Sequence, residues 1–179
     1  MKIRPAAEAD APALLAVYAP YVTDTTVTFE YTVPAPEEFA QRIRKTLAVF
    51  PYLCAEEDGA VLGYAYASPY KPRAAYAWTA ESSVYVRADA RGRGVGHALQ
   101  TELERLLTLQ RIRVLTACVT FPNPDSIAFH LRRGFRECAH FHRCGYKLGQ
   151  WLDVVWLEKA LLPNEDAPEP FVPWPELRP

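Results

Sequence analysis

Neither sign of charge dominates this sequence, and no long apolar run interrupts it. Its 20 lysines and arginines nearly balance 21 aspartates and glutamates, which leaves a formal net charge of −1. A balanced surface provides no broad cationic field of the kind that non-specific nucleic-acid binding requires. We therefore predict that the protein does not bind nucleic acid.

No stretch approaches the roughly 20 consecutive apolar residues that a membrane-spanning helix needs. The N-terminal sequence MKIRPAAEADAPALL also has no continuous apolar core of a secretory signal. These absences predict a cytoplasmic protein without membrane association.

Cysteine is sparse, and its spacing contains no Cys-x-x-Cys pair. The four cysteines are Cys54, Cys118, Cys138 and Cys144. Without an export signal, such cysteines are expected to be reduced and buried as small apolar residues rather than joined in disulfides.

The composition of the 179 residues, with 50% hydrophobic and 12% aromatic side chains, is typical of one globular domain with a sizeable core. Six of the 16 prolines lie at or after position 163. We predict a folded domain over residues 1–162 and an extended, proline-rich tail over residues 163–179.

Hydrophobic periodicity predicts strands and helices in alternation. Strands are predicted at 2–4, 52–56, 61–67, 78–86, 114–120, 135–146 and 151–161, and helices at 8–21, 37–50, 95–110 and 125–133. Asp58 and Gly59, between the second and third strands, have the composition of a hairpin turn. The pattern predicts a fold of the α/β (α+β) class.

A glycine-rich turn joins the fourth predicted strand to the third predicted helix. Its residues are Arg91, Gly92, Arg93, Gly94, Val95, Gly96 and His97. Glycines allow positive φ and close approach of the backbone, so the amide N–H groups at the helix N-terminus can surround an anion. The turn therefore favours a phosphate site, with a tight turn that binds no ligand as the alternative. A dinucleotide fold fits poorly, because His97 stands where the last glycine of Gly-x-Gly-x-x-Gly belongs, and the Walker lysine is absent.

The element order and the turn together resemble the GNAT superfamily of acyl-CoA N-acetyltransferases, whose motif Gln/Arg-x-x-Gly-x-Gly/Ala matches residues 91–96. Two segments, YKPRAAYAWTAESSVYV at 70–86 and GYKLGQWLDV at 145–154, are similar to the phosphinothricin and methionine sulfoximine acetyltransferase branch. The resemblance implies a GNAT fold, with a mixed, mostly antiparallel twisted sheet of about seven strands flanked by about four helices.

The same resemblance implies transfer of acetyl from acetyl-CoA, the co-substrate, to the α-amino group of a small amino acid. Phosphinothricin, methionine sulfoximine and analogues of methionine or glutamate are the implied acceptors. A homodimer is implied too, and no metal is expected. Two alternatives stay open: another amine as acceptor, such as a polyamine, an aminoglycoside or a protein N-terminus, and a non-catalytic acyl-CoA-binding domain.

Amide synthesis from a thioester needs a base and benefits from an acid. An α-amino group titrates at about 8 and must lose a proton before it attacks. Glu81, in the fourth strand, is the expected base by resemblance, with a solvated strand-end glutamate as the alternative. His130 is the candidate acid that protonates the leaving thiolate, because the resembled branch has histidine seven residues after the equivalent of Asn123. A structural histidine is the open alternative.

Coenzyme binding is assigned to the turn, the preceding strand and one asparagine. Backbone groups of Val84, Tyr85 and Val86 can pair with the pantetheine amides and the acetyl oxygen while their side chains pack. The resemblance places Asn123 on coenzyme A, although this residue could also simply begin a helix.

Substrate recognition is assigned to Lys71, Arg73 and Tyr76, in the loop before the fourth strand. It is also assigned to Phe29, because residues 25–29 resemble the substrate-side loop of the family. The bidentate guanidinium of Arg73 suits a substrate carboxylate or phosphinate. The alternatives are a solvated arginine and aromatic rings that only pack.

One further row of residues could bind zinc. Cys138, His140, His142 and Cys144 alternate along a predicted strand, so their side chains would project from one face. Alternate residues of a flat strand are about 6.6 Å apart, and a tetrahedral site would need bending or a ligand from elsewhere. We therefore favour packing in or beside the sheet over metal binding.

Overall fold

The computed structural model describes residues 1–163 and 167–177. Within these residues, seven strands form one sheet and four α-helices cover its two faces. The strands are β1 (Lys2–Pro5), β2 (Tyr52–Glu57), β3 (Ala60–Pro69), β4 (Thr79–Val86), β5 (Val114–Phe121), β6 (Arg136–Lys147) and β7 (Gln150–Ala160). The helices are α1 (Ala11–Thr23), α2 (Pro36–Leu47), α3 (Val95–Leu109) and α4 (Pro124–Arg132).

The sheet has the order β1-β2-β3-β4-β5-β7-β6, and β4 with β5 is its parallel pair among antiparallel neighbours. This confirms the predicted mixed, mostly antiparallel sheet. The β2–β3 turn is a hairpin, with φ of 51° at Asp58 and 77° at Gly59. Helix boundaries differ slightly from the prediction: a 3₁₀ turn at Glu8–Asp10 precedes α1, and α2 already ends at Leu47.

A separate apolar core lies on each face of the sheet. Helix α3 buries Leu99, Leu103 and Leu107 completely against one face. Helices α1 and α2 bury Leu14 and Ile43 against the other. Because each such side chain contributes about 1.5–3 kcal/mol when it leaves water, the two cores hold both helical layers firmly to the sheet.

The two neighbours of β5 pair with it very differently. Strand β7 pairs along the whole of β5, whereas β4 pairs only at residues 79–81, opposite residues 114–116. Beyond Glu81 and Thr116 the two strands diverge. The backbone groups of residues 82–86 and 117–121 that do not pair with β3 or β7 therefore border a gap in the sheet, where they need partners other than a strand.

The described part of the proline-rich tail packs against the domain. The Phe171 ring lies 5.4 Å from that of Phe50, and Trp174 contacts the same core as α3. The side-chain amide of Gln110 donates to the carbonyl oxygens of Val49 at 2.8 Å and Val172 at 2.9 Å. Residues 164–166 and 178–179 of the predicted tail lie outside the described residues.

The prediction of buried cysteines is wrong for three of the four. Cys54 is buried, but Cys118, Cys138 and Cys144 are exposed, and all four are unpaired. The reason is their position: β6 is an edge strand, and Cys118 lines an open cavity. In the described part of the chain, no helix is both long and apolar enough to cross a membrane.

Candidate active site

A cavity of about 630 Å³ occupies the gap between β4 and β5 and extends to the first turns of α3 and α4. Most residues assigned to the coenzyme from the sequence line it, as does His130. They are Val84, Tyr85, Val86, Arg91, Gly92, Gly94, Val95, Gly96, His97 and Asn123. Arg93 is not among the lining residues, because its guanidinium forms an ion pair with Glu57.

The glycine turn presents the free N-terminus of α3 to this cavity. Gly92 and Gly94 have φ of 74° and 81°, in the left-handed region that favours glycine. Gly94 precedes the first helical residue, and no side chain caps the helix there. The first amide N–H groups of a 15-residue helix are thus free to bind an anion at its positive end.

Tyr21 bridges one side of the gap, a role that the sequence did not reveal. Its hydroxyl donates to the Val86 carbonyl at 2.6 Å and accepts from the Val86 N–H at 3.2 Å. The Arg91 guanidinium lies over the Tyr21 ring, 5.2 Å from its centre. In the sequence, Tyr21 belongs to the apolar periodicity of the first helix, and that pattern gives no sign of a hydrogen bond from this helix to the backbone of β4.

Asn123 begins α4 and also lines the cavity. Its Oδ1 accepts a hydrogen bond from the Ser126 N–H at 3.2 Å, which makes it the N-terminal cap of the helix. The two readings of this residue are therefore compatible, since a capping side chain at the cavity edge can still contact a ligand.

His130 is buried on α4 with its imidazole held in place. The ring lies 5.1 Å from each of the rings of Phe129 and Phe135, and Nδ1 is 2.8 Å from the Ser126 carbonyl oxygen. Burial lowers its pKa below the usual value, so the neutral form predominates at pH 7. When Nδ1 donates to the carbonyl, Nε2 carries a lone pair. The role of proton donor stays a prediction.

Glu81 stands where β4 and β5 separate. It is the last residue of β4 in the parallel pairing, opposite Thr116. Burial raises the pKa of its carboxyl above the usual value, and the charge of Lys71 opposes this rise. A carboxylate with a raised pKa accepts a proton more readily, which suits a base at the end of the gap.

Lys71, the loop residue whose positive charge acts on Glu81, lies beside two aromatic rings. The Lys71 ammonium lies 5.0 Å from the ring centre of Tyr70 and 5.9 Å from that of Trp156. Tyr70 also packs edge-on against Tyr76 at 5.6 Å. The alternating pattern of β7 predicts only that Trp156 is a strand residue. Its position beside the loop is decided by the register of the sheet.

Lys71, Arg73 and Tyr76 line a second, smaller cavity of about 250 Å³. The loop thus brings these three substrate candidates together, although this cavity shares no lining residue with the larger one, and their role in recognition stays a prediction. Phe29 lines neither this cavity nor the larger one. Its ring covers Gly145, where an added Cβ would overlap the ring, so the structure packs Phe29 on the β6–β7 hairpin.

A sheet opened between β4 and β5, with a glycine turn and a free helix N-terminus at one end and the half-buried carboxylate of Glu81 at the other, defines an acyl-group transferase. Residues 3–156 match the family described as "Acetyltransferase (GNAT) domain". The chain therefore belongs to the GNAT family and is an acetyltransferase, as the sequence predicted.

Individual relatives and solved structures indicate which acetyltransferases the chain is similar to. The chain is 40% identical to the phosphinothricin N-acetyltransferase of Alcaligenes faecalis, over 89% of this chain and 82% of that protein. It is 35% identical to the L-methionine sulfoximine/L-methionine sulfone acetyltransferase of Pseudomonas aeruginosa, over 93% of this chain and 98% of that protein. The chain also superposes, with a TM-score of 0.90, on the crystal structure of a phosphinothricin acetyltransferase from Sinorhizobium meliloti in complex with acetyl-CoA. The two are 34% identical over 94% of this chain and 92% of that chain.

Proposed function

We propose that this enzyme transfers acetyl from acetyl-CoA to the α-amino group of a small amino acid, such as phosphinothricin, methionine sulfoximine or an analogue of methionine or glutamate. The gap between β4 and β5 is the observation that carries the proposal. It offers unpaired strand backbone for the pantetheine arm, the amides of α3 for the diphosphate, and Glu81 where the strands meet.

The reaction proceeds by direct attack within a complex of both substrates. Glu81 takes a proton from the ammonium, directly or through water, and the freed nitrogen attacks the thioester carbon. Backbone N–H groups of β4 stabilise the negative charge that develops on the acetyl oxygen. The attacking nitrogen then loses its second proton, the C–S bond breaks, the amide forms, and the coenzyme leaves as a thiolate that takes up a proton. These steps use no metal.

His130 is proposed as the group that returns a proton to the thiolate. It lines the coenzyme cavity, which supports this role. Because its lowered pKa keeps it neutral at pH 7 and Nδ1–H donates to the Ser126 carbonyl, His130 must first gain a proton at Nε2 during the reaction, the second proton of the attacking nitrogen, and then pass it to the thiolate. Replacement by glutamine, which retains a donor but no titrating ring, tests this assignment against a packing role.

Acceptor recognition is proposed for Arg73, Lys71 and Tyr76, with Phe29 as a residue that shapes the substrate side. Two cations beside aromatic rings suit an acceptor that carries a carboxylate or phosphinate. A polyamine or an aminoglycoside carries no such anion. A requirement for an anionic group on the acceptor therefore separates these substrate classes.

We also propose a homodimer, which would cover an exposed aromatic patch at the tip of the β6–β7 hairpin. Tyr31, Tyr146, Leu148 and Trp151 make up this patch and are 71%, 49%, 58% and 55% exposed. A contiguous apolar surface of this kind is typical of protein interfaces. Sedimentation analysis is expected to give twice the mass of one chain, and Trp151→Glu is expected to lower that mass toward the monomer.

We place the enzyme in the cytoplasm, without nucleic-acid or membrane partners, on the balanced charge of the chain.

The decisive experiment measures free thiol release from acetyl-CoA with a panel of amines. Phosphinothricin, methionine sulfoximine and methionine sulfone are expected to give turnover, whereas spermidine and a peptide with a free N-terminus are not. Calorimetry with acetyl-CoA alone is the companion measurement. Binding without turnover on any anionic amino acid would contradict the proposed acceptor class, and absence of binding would contradict the assignment of the gap.

A further inference from the structure

The β6–β7 hairpin carries a cluster of side chains that the proposed reaction does not use. Ligand atoms of His140, His142 and Asp153 all lie within 4.8 Å of one another. Asp153 Oδ2 is 2.9 Å from His140 Nε2 and 3.0 Å from His142 Nδ1. Two imidazole nitrogens and one carboxylate oxygen thus converge on a single small volume.

An irregularity in β6 creates this convergence. The pairing of β6 with β7 shifts its register between Phe141 and Gly145, and Arg143 has a φ of 50°. Such a bulge bends the strand and redirects its side chains. The rings of His140 and His142 consequently stack with their centres 4.5 Å apart, and the third group comes from β7. The flat row of four residues considered from the sequence therefore does not form.

The two cysteines of that row do not belong to the cluster. Cys138 Sγ donates to the Trp156 carbonyl at 3.4 Å, and Cys144 Sγ approaches the Leu152 carbonyl at 3.8 Å. Nitrogen and oxygen are thus the donor atoms, a combination that suits zinc and other first-row divalent cations.

Neighbouring groups hold the carboxylate and one imidazole in place. Asp153 Oδ1 accepts the Arg143 N–H at 2.7 Å, which leaves Oδ2 directed at the two histidines. The Phe121 ring lies 5.0 Å from the ring of His140. Supporting contacts of this kind orient the ligands of metal sites in proteins.

We propose that His140, His142 and Asp153 bind a divalent transition-metal cation, with Zn²⁺ the expected ion and water at the remaining position. A tetrahedral zinc ion places its ligand atoms about 3.3 Å apart, so the two short nitrogen–oxygen separations need to open only slightly. On binding, each imidazole proton moves to the nitrogen that faces away from the metal. Coordination then replaces the two hydrogen bonds to Asp153 and ties β6 to β7 at the bulge.

Titration of the tag-free protein with zinc chloride by calorimetry tests this site. We expect one Zn²⁺ per chain and a rise in the thermal unfolding midpoint with zinc concentration. The His142 side chain is 74% exposed, so His142→Ala is expected to fold normally. This variant is expected to bind zinc at least tenfold more weakly and to lose the zinc-dependent rise.

Cys138→Ser and Cys144→Ser are the matched controls, because the cysteines are the competing ligands on the same strand. Both are expected to bind zinc as the unchanged protein does, and Co²⁺ is expected to give a spectrum without a thiolate charge-transfer band. No binding by the unchanged protein, equal affinity of His142→Ala, or loss of binding in either cysteine variant would overturn the proposal.

Discussion

Strand β5 has two edges, and they differ in almost every respect. Toward β7 it is paired along its full length, from Val114 to Phe121. Toward β4 it is paired over three residues, and beyond them a cavity of about 630 Å³ separates the strands. The paired edge stabilises the sheet, whereas the open edge provides the backbone groups and the space that a coenzyme arm requires. One strand thus serves both stability and function because its partners diverge.

Glu81 lies where the paired part of the β4 edge ends, and its replacement should have the largest effect. For Glu81→Gln we expect kcat to fall by about 100-fold or more, because the base is lost, with acetyl-CoA affinity nearly unchanged. Steady-state kinetics and calorimetry measure the two quantities. Glu37→Gln, at an exposed position of α2, is the control and should retain full activity.

The pH dependence tests the same residue independently. Because the pKa of Glu81 is raised, its protonated form persists to higher pH than for an ordinary glutamate. Activity should therefore decline, as the pH falls, at a higher pH than the usual value of 4.5, and Glu81→Gln should lose this acid limb. A limb that is unchanged in the variant would assign it to another group.

The open edge ends at the glycine turn, where Gly94→Val should mainly weaken coenzyme binding. A branched side chain at a φ of 81° costs about 1–2 kcal/mol and disturbs the amides at the start of α3. We expect acetyl-CoA affinity to fall by about 30-fold in calorimetry. Gly149→Val is a close match, with a φ of 77° and open space around it, in the β6–β7 turn, which does not line the cavity. If both variants bind acetyl-CoA equally well, the turn does not hold the diphosphate.

Arg73 lies in the loop that leads into the paired end of β4 and lines the second cavity, so its replacement should affect the acceptor rather than the coenzyme. For Arg73→Ala we expect KM for anionic amino acids to rise about tenfold with little change in kcat, since a charge-assisted contact is lost. Arg136→Ala, whose side chain is 82% exposed on β6, is the control. An unaltered KM would separate Arg73 from recognition.

Tyr21 partly covers the open edge, and its replacement should have the smallest effect of the variants considered. Tyr21→Phe removes both hydrogen bonds to Val86, so we expect a loss of about 1 kcal/mol in the free energy of unfolding, measured by urea denaturation. Tyr76→Phe, at an exposed tyrosine in the loop before β4, should change stability little. Equal stability of Tyr21→Phe and the unchanged protein would show that water replaces the hydroxyl without cost.

Hydrophobic periodicity correctly predicts the helices and strands, because it reflects which side of each element faces a core. The turn at Gly92 and Gly94 is equally visible, since a left-handed backbone followed by a helix needs glycine. Contacts that depend on strand register are not predictable in the same way. Trp156 beside Lys71, and the Tyr21 hydroxyl on Val86, each join positions far apart in the chain, and no local pattern encodes such contacts.

The amino-acid order alone determined the class of fold, the glycine turn at the start of α3 and the family, because these depend on short-range spacing and composition. Only the tertiary structure decided where β4 and β5 separate, which cysteines are exposed and how the β6 bulge gathers two histidines around Asp153. Those features depend on how distant strands align, and that alignment is set by packing of the whole sheet against its helices.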